Sequence, residues 1–287
     1  MRIAEYDRLP SRRVTVDGGE MFTIDVGDGP AVVLVHGSPV SSLEFRAVIG
    51  RLRPRFRVVA PDLLSFGQST GPAKGAGFTQ QARALRGLFD ALSLDRFDFV
   101  GHDWGGPIGL GAAAEAPGQV DRIVLLNTSI LPDFEPPLAW RPIIAPLIGE
   151  LTLVGANLMS HTLPLMLEAV RHDRELHQRY LEPMAHAATR RTMLKLERRD
   201  GYEAVCQRIV RSLREMGGPR LLIWGTGDPY FRREYRRLQA AIPDVRRITL
   251  PGAGHFASED APEAVSRHID DFLLSGRCTA PGLGLRA

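Results

Sequence analysis

The 287-residue sequence predicts an α/β protein with a mostly parallel, eight-stranded sheet flanked by helices and an inserted helical lid. Two patterns support this prediction. Short apolar runs that end at Gly, Pro or other turn residues alternate with helical segments, as expected for buried parallel strands in β–α–β units. The alternation fails over residues 131–216, where the sequence contains no strand-like run.

The eight strands are predicted from two kinds of pattern. Arg13–Asp17 and Met21–Val26 alternate apolar and polar residues, which is typical of the strands of an edge hairpin. The other six are short, mainly apolar runs: Val32–Val35, Val58–Ala60, Phe97–Val100, Ile123–Leu126, Leu221–Trp224 and Ile248–Leu250.

Residues 131–216 are predicted to form a helical lid (cap) domain, and residues 1–130 and 217–287 to form the core domain. An insertion at the carboxyl edge of a parallel sheet lies over the place where such folds bind ligands. The most apolar stretch, Leu138–Val170, is interrupted by titratable side chains and prolines, so we do not expect it to cross a membrane.

Composition argues against several functional classes. The net charge of +3 is too small to predict binding to nucleic acid or to an anionic membrane. Two cysteines, Cys206 and Cys278, are too few for a disulfide scaffold or a zinc cluster. The first residues contain no apolar segment typical of a secretory signal. We therefore expect a cytoplasmic protein, either monomeric or homodimeric.

The strongest motif is Gly101–Gly105 (Gly-His-Asp-Trp-Gly), which follows an apolar strand and precedes a helix rich in small residues. This is the context of a nucleophile elbow, a tight turn that exposes one side chain above the sheet. Here that side chain is Asp103. A carboxylate is already charged at neutral pH and suits attack on a saturated carbon with a good leaving group. The expected product of that attack is an alkyl ester of Asp103, which water must then hydrolyse.

Hydrolysis of the ester requires a general base, a group that orients the base, and an oxyanion hole. His255 lies in a Gly-rich loop after a strand and is the expected base, whereas His268 lies in a segment predicted to be an amphipathic helix. Asp228, in the turn after Leu221–Trp224, is the expected partner of the base, with Asp133 as an outside alternative.

The expected oxyanion hole combines two backbone N–H groups, one from Trp104 and one from Ser38 in the turn after Val32–Val35. The scheme needs no metal and no organic cofactor, because the nucleophile and water supply both steps.

Over nearly its whole length the sequence resembles the α/β-hydrolase superfamily, in which the nucleophile, the acid and the histidine follow in the order Asp103, Asp228 and His255. Its aspartate nucleophile resembles that of haloalkane dehalogenases and soluble epoxide hydrolases. The segments that carry the dehalogenase resemblance are His36–Ser42, Ala60–Leu63 with Phe66–Ser69, and His102–Gly109.

The resemblance implies that Trp104 holds the departing halide through its side chain. Ser38 occupies the position of an asparagine that often assists, and Trp140 is the candidate for a second tryptophan supplied by the lid. Epoxide hydrolases instead use two lid tyrosines to protonate the opening oxygen, and Tyr180 and Tyr202 are the candidates here.

We therefore predict a haloalkane dehalogenase that converts a small apolar alkyl halide and water to an alcohol and halide. The alternative is an epoxide hydrolase that forms a diol with the same triad. A third hypothesis, from another class, is a catalytically silent α/β-hydrolase-fold protein that binds a small ligand.

Overall fold

The structure is a computed structural model and describes residues 1–138, 140–167, 173–242 and 244–275. Cys278 and part of the apolar stretch Leu138–Val170 lie outside these residues. Within the described ranges, no helix is both long enough and apolar enough to cross a membrane.

One eight-stranded sheet organises the molecule, in the spatial order β1-β2-β4-β3-β5-β6-β7-β8. The strands β1 and β2 form an antiparallel hairpin, β2 pairs antiparallel with β4, and all other neighbours are parallel. Each predicted strand is present at its predicted position. The bounds are β1 Ser11–Val16, β2 Gly19–Val26, β3 Ala31–Val35, β4 Arg57–Pro61, β5 Phe97–His102, β6 Val120–Leu126, β7 Arg220–Gly225 and β8 Arg246–Leu250.

Helices connect the strands and cover both faces of the sheet. In the described part of the chain the α-helices are α1 Ile3–Tyr6, α2 Arg46–Leu52, α3 Phe78–Ala91, α4 Gly105–Ala113, α5 Arg141–Ile144, α6 Leu158–Met166, α7 Arg174–Leu181, α8 Ala187–Glu197, α9 Tyr202–Ser212, α10 Glu234–Ala241, α11 Ala257–Asp260 and α12 Pro262–Leu274. Short 3₁₀ turns span Ser42–Phe45, Pro117–Gln119 and Glu182–Ala185, and a π-helix spans Glu150–Gly155.

The central strands are mainly apolar because both faces of the sheet are buried. Along β3, Val33 and Val35 pack into one hydrophobic core, whereas Val32 and Leu34 pack into the core on the opposite face. Successive side chains of a strand point to opposite faces. A strand between two cores therefore reads as a continuous apolar run, which is why β3 could be predicted without an alternating pattern.

Between β6 and β7, all the regular secondary structure that the structure describes is helical. This inserted segment contacts the rest of the molecule through specific hydrogen bonds. The hydroxyl of Thr189 donates to the Ser65 carbonyl oxygen at 2.7 Å, and the hydroxyl of Thr192 accepts from the Ala76 N–H at 3.0 Å. These contacts hold α8 against the loops at the carboxyl edge of the sheet.

Candidate active site

Asp103 occupies the sharp turn between β5 and α4. Its φ of 47° lies in the left-handed region, which is uncommon for a residue other than glycine. Two neighbouring glycines make room for the turn. A Cβ on Gly105 would overlap the Val35 carbonyl oxygen, and one on Gly37 would overlap the side chain of Asp103. The backbone strain and close packing at Asp103 match the nucleophile elbow expected from the sequence.

The carboxylate of Asp103 is buried and receives backbone hydrogen bonds. The N–H of Ser38 donates to Oδ2 at 2.8 Å, and the backbone N–H of Trp104 also acts on the carboxylate. Burial raises the pKa of Asp103, while the charge of His255 and these N–H groups oppose the rise. Both backbone N–H groups expected for the oxyanion hole therefore bond the Asp103 carboxylate.

His255 lies between two carboxylates, as the predicted triad requires. Its Nδ1 is 3.2 Å from Oδ2 of Asp228, and its Nε2 is 3.7 Å from Oδ1 of Asp103. The ring of Phe231 stacks on the imidazole with the two ring centres 5.5 Å apart. His268, the alternative base, lies instead on α12.

Several hydrogen bonds hold Asp228 in its ionised form. The backbone N–H groups of Tyr230 and Phe231 donate to Oδ1 at 2.7 and 3.2 Å. The side-chain amide of Asn127 donates to Oδ2 at 2.8 Å. Burial alone would raise the pKa of Asp228, but the charge of His255 and these bonds lower it below the ordinary value. Asp133, the outside alternative, pairs instead with Arg237.

Asn127 is a site residue to which sequence reasoning assigned no role. It directly follows β6. In proteins that resemble this one, the acid of the triad can also stand after this strand, but Asn127 has no ionisable group. In the structure its side-chain oxygen accepts a hydrogen bond from the Gly225 N–H at 2.9 Å, and its side-chain NH₂ donates to Asp228. Asn127 therefore ties the end of β6 to the turn that carries the acid.

His102, next to the nucleophile in sequence, also supports the base. Its Nε2–H donates to the backbone carbonyl oxygen of His255 at 2.9 Å, and its side chain is fully buried. This bond joins the end of β5 to the loop that carries His255.

A small cavity opens over Asp103 and His255, with a volume of about 40 Å³. Its apolar wall consists of Pro39, Phe134, Pro136, Pro137, Met159 and Phe231. The walls fit a small apolar guest.

Two indole N–H groups in this cavity converge on one carboxyl group. Nε1 of Trp104 donates to Oε1 of Glu197 at 3.1 Å, and Nε1 of Trp140 donates to Oε2 of Glu197 at 2.8 Å. The two tryptophans thus both line the cavity, with the Glu197 carboxyl group between their N–H groups. Burial and the charge of Asp103 raise the pKa of Glu197 to about 7.

Nothing in the local sequence distinguishes Glu197. It ends α8 in the charge-rich run Lys195–Asp200, and such runs are typical of solvated helix faces. Only the tertiary contact with Trp104 and Trp140 identifies it as a cavity residue.

The structure does not bring the two lid tyrosines to the nucleophile. The hydroxyl of Tyr180 donates to Glu259, and that of Tyr202 donates to the Leu131 carbonyl oxygen at 3.1 Å. Neither side chain lines the cavity that contains Asp103. The tyrosine that does line it is Tyr230, whose ring centre is 5.2 Å from that of His255.

Ser38 lines the same cavity. Its hydroxyl is buried and makes no hydrogen bond to any residue that the structure describes. Within the same described ranges, no cluster of three or more His, Cys, Asp or Glu side chains could hold a metal ion.

Three features define an α/β-hydrolase: the sheet order, the turn at Asp103, and the positions of Asp228 and His255. The sequence matches the alpha/beta hydrolase fold family over residues 30–262, and the chain belongs to that family. Together with the relatives described next, this identifies the protein as a hydrolase similar to haloalkane dehalogenases.

Individual relatives are similar over most of their length. The chain is 34% identical over 259 residues to haloalkane dehalogenase 2 of Mycobacterium tuberculosis, covering 88% of this chain and 90% of that protein. It is 29% identical over 283 residues to cis-3-alkyl-4-alkyloxetan-2-one decarboxylase of Shewanella oneidensis, covering 92% and 89%. Among solved structures, the haloalkane dehalogenase DatA from Agrobacterium tumefaciens is similar with a TM-score of 0.81, 25% identity and coverage of 92% and 96%.

Proposed function

We propose that the protein is a haloalkane dehalogenase that forms an alkyl ester on Asp103. The observation that carries the proposal is a buried carboxylate, rather than a hydroxyl, at the elbow, in a cavity where two indole N–H groups converge. The 34% identity to a haloalkane dehalogenase supports the same conclusion. The substrate class is a small apolar alkyl halide, with water as the second substrate.

In the first step, Asp103 attacks the carbon that bears the halogen. Oδ1 is the attacking atom, because Oδ2 already accepts the Ser38 N–H. The carbon–halogen bond breaks as the carbon–oxygen bond forms, and the halide leaves with the electron pair. The indole N–H groups of Trp104 and Trp140 are the donors suited to the developing negative charge, once the halide replaces the Glu197 carboxyl group to which they donate in the structure.

In the second step, water attacks Cγ of the Asp103 ester. Nε2 of His255 faces this carboxyl group and takes the proton from water, while Asp228 holds Nδ1. Negative charge builds on Oδ2, beside the N–H groups of Ser38 and Trp104. The alcohol leaves with the original carboxylate oxygen and a proton, and Asp103 keeps the oxygen from water.

We also propose that residues 131–216 act as a lid over Asp103, with residues 1–130 and 217–287 as the core. The support is that the inserted segment supplies Trp140 and Glu197 to the cavity, whereas the sheet and its loops supply the triad.

His255→Gln tests the two-step scheme directly. Because the first step needs no base, mixing this variant with 1-bromobutane should release one bromide per enzyme and leave a butyl group on Asp103, detectable by peptide mass spectrometry. Asp103→Asn is the matched control and should form no adduct. Wild-type enzyme in H₂¹⁸O should acquire the label in Asp103 during its first turnover. Unlabelled Asp103 with labelled butanol would refute the ester.

A further inference from the structure

Glu197 places a second carboxyl group at the leaving-group end of the cavity. Each of its oxygens accepts one indole N–H, so the two tryptophans hold it as they would hold an anion. The ionisable groups that face it are Asp103, His255 and Tyr230. No Lys or Arg is found among the described residues that line the cavity.

Two carboxyl groups in one small, mostly apolar cavity do not readily ionise together. Asp103 has the better support for its charge, from the Ser38 and Trp104 N–H groups and from His255. Glu197 has the two indoles and a smaller contribution from the charge of His255, and its pKa is raised to about 7. Near neutral pH a large share of the protein therefore carries Glu197 as the neutral acid beside an ionised Asp103.

An acid in this place suits a leaving group that must accept a proton. A halide needs only hydrogen-bond donors, and an ionised Glu197 would repel it. The oxygen of an epoxide, in contrast, becomes a good leaving group when it is protonated as the ring opens. The indole N–H groups then stabilise the Glu197 carboxylate left behind.

We propose that Glu197 is a catalytic proton donor and that the site hydrolyses epoxides to diols as a second activity. This inference rests on the proposed Asp103 ester. As Oδ1 of Asp103 bonds to a ring carbon, the carbon–oxygen bond of the ring breaks and its oxygen takes the Glu197 proton. The products are a hydroxyalkyl ester of Asp103 and ionised Glu197.

The second step restores both groups. Water adds to the ester as for a haloalkane, the diol leaves, and Asp103 returns as a carboxylate. Hydrolysis of the ester to an alcohol and a carboxylate liberates one proton, which returns to Glu197. The overall reaction consumes one epoxide and one water and yields one diol, with no other reactant.

The tyrosines of the chain are less suited to this role than Glu197. The hydroxyls of Tyr180 and Tyr202 are already bonded to Glu259 and to the Leu131 carbonyl oxygen. Tyr230 does line the cavity, but burial raises its pKa to about 12, so it is a far weaker acid. The free hydroxyl of Ser38 can hydrogen-bond the opening oxygen but cannot supply a proton at neutral pH.

Glu197→Gln tests the inference with two matched substrates, 1,2-epoxybutane and 1-bromobutane. Gln keeps the size of Glu and can donate a hydrogen bond, but it cannot transfer a proton. We expect wild-type enzyme to release both diol and bromide. In the variant, kcat for the epoxide should fall by about 100-fold or more, while kcat for the bromide at pH 8 should rise because the negative charge is gone.

The pH profile gives a second readout. In wild-type enzyme, kcat for the epoxide should fall as pH rises through about 7, where Glu197 loses its proton. The remaining kcat of Glu197→Gln for the epoxide should not fall over this pH range. Glu203→Gln, on the exposed face of α9, is the control and should behave as wild type on both substrates.

The possible contrary results separate the two proposals. Equal loss of epoxide and bromide turnover in Glu197→Gln would show a structural role and overturn the inference. Wild-type enzyme that releases bromide but no diol would overturn the inference and leave the proposed dehalogenase function standing. Failure of both substrates to form an Asp103 ester would overturn both.

Discussion

Nδ1 of His102 lies 2.8 Å from Oε2 of Glu44, and both side chains are completely buried. Burial alone would lower the pKa of His102, but the charge and hydrogen bond of Glu44 raise it to about 9. Glu44 also accepts the Gly37 N–H at 3.1 Å and the Ser258 hydroxyl at 3.2 Å. This buried ion pair lies behind the triad. Through Glu44 it joins the end of β5 and the loop after β3 to α11, the helix that follows His255.

Glu44→Gln should therefore destabilise the protein by about 3–5 kcal/mol at pH 7, because His102 must then either stay charged without its partner or give up its proton. Urea unfolding measures the change. As a control, Glu135→Gln removes an exposed partner of Arg141 and should cost less than about 1 kcal/mol.

The pH dependence of that stability has a defined sign. His102 binds its proton more tightly in the folded state, so its contribution is complete below its ordinary pKa of 6.5 and disappears as pH rises through about 9. The free energy of unfolding of wild-type protein should fall by about 3 kcal/mol across that window. An equally steep fall in Glu44→Gln would contradict the assignment of this slope to the ion pair.

Asn127→Ala should slow the hydrolysis of the ester more than its formation. The lost amide removes the 2.8 Å bond to Asp228 and the bridge to Gly225, so Asp228 and then His255 lose orientation. We expect kcat for 1-bromobutane to fall roughly 10- to 100-fold, with a rapid burst of bromide before the steady state. Gln207→Ala removes an exposed amide on α9 and serves as the control. A slower reaction without a burst would argue against a positioning role for Asn127.

Trp140→Phe should change the two activities in different ways. The variant keeps the aromatic surface but loses the N–H that lies 2.8 Å from Glu197. Bromide release should slow roughly 10- to 100-fold, because one donor to the departing halide is gone. The same N–H lowers the pKa of Glu197, so its loss should move the falling limb of the epoxide profile to higher pH, by about half to one unit.

That shift can be followed by stopped assays of diol from pH 5.5 to 9. If kcat for the epoxide falls at the same pH in Trp140→Phe as in wild type, Glu197 is not the group whose titration causes the fall.

The sheet could be predicted from the sequence because each strand carries its own signal. Strands β3 and β5 lie between two cores and begin with short, mainly apolar runs, while the hairpin of β1 and β2 shows alternation. Asp103 was predictable for a similar reason, since the elbow requires small residues within two positions of the nucleophile. These patterns are local, so a single sequence reveals them.

The leaving-group side of the cavity was not predictable in the same way. Glu197 belongs to a charge-rich helix end, and Tyr180 looks like any other aromatic residue of the inserted segment. The direction in which each side chain points depends on how α7 and α8 pack, and the packing of irregular helices leaves no periodic mark in the sequence. The contacts of Tyr180 and Tyr202 therefore do not support their predicted role as proton donors. No pattern in the sequence distinguishes Glu197 from a solvated acid.

The cavity draws its nucleophile from the sheet but Trp140 and Glu197 from the inserted segment. A chimaera that received only this insertion from a related enzyme should therefore change its selectivity for the leaving group. The residues proposed to form and cleave the covalent bond would stay unchanged. Directed evolution of this scaffold toward other electrophiles can thus concentrate its diversity in about 30% of the gene, the part that encodes residues 131–216.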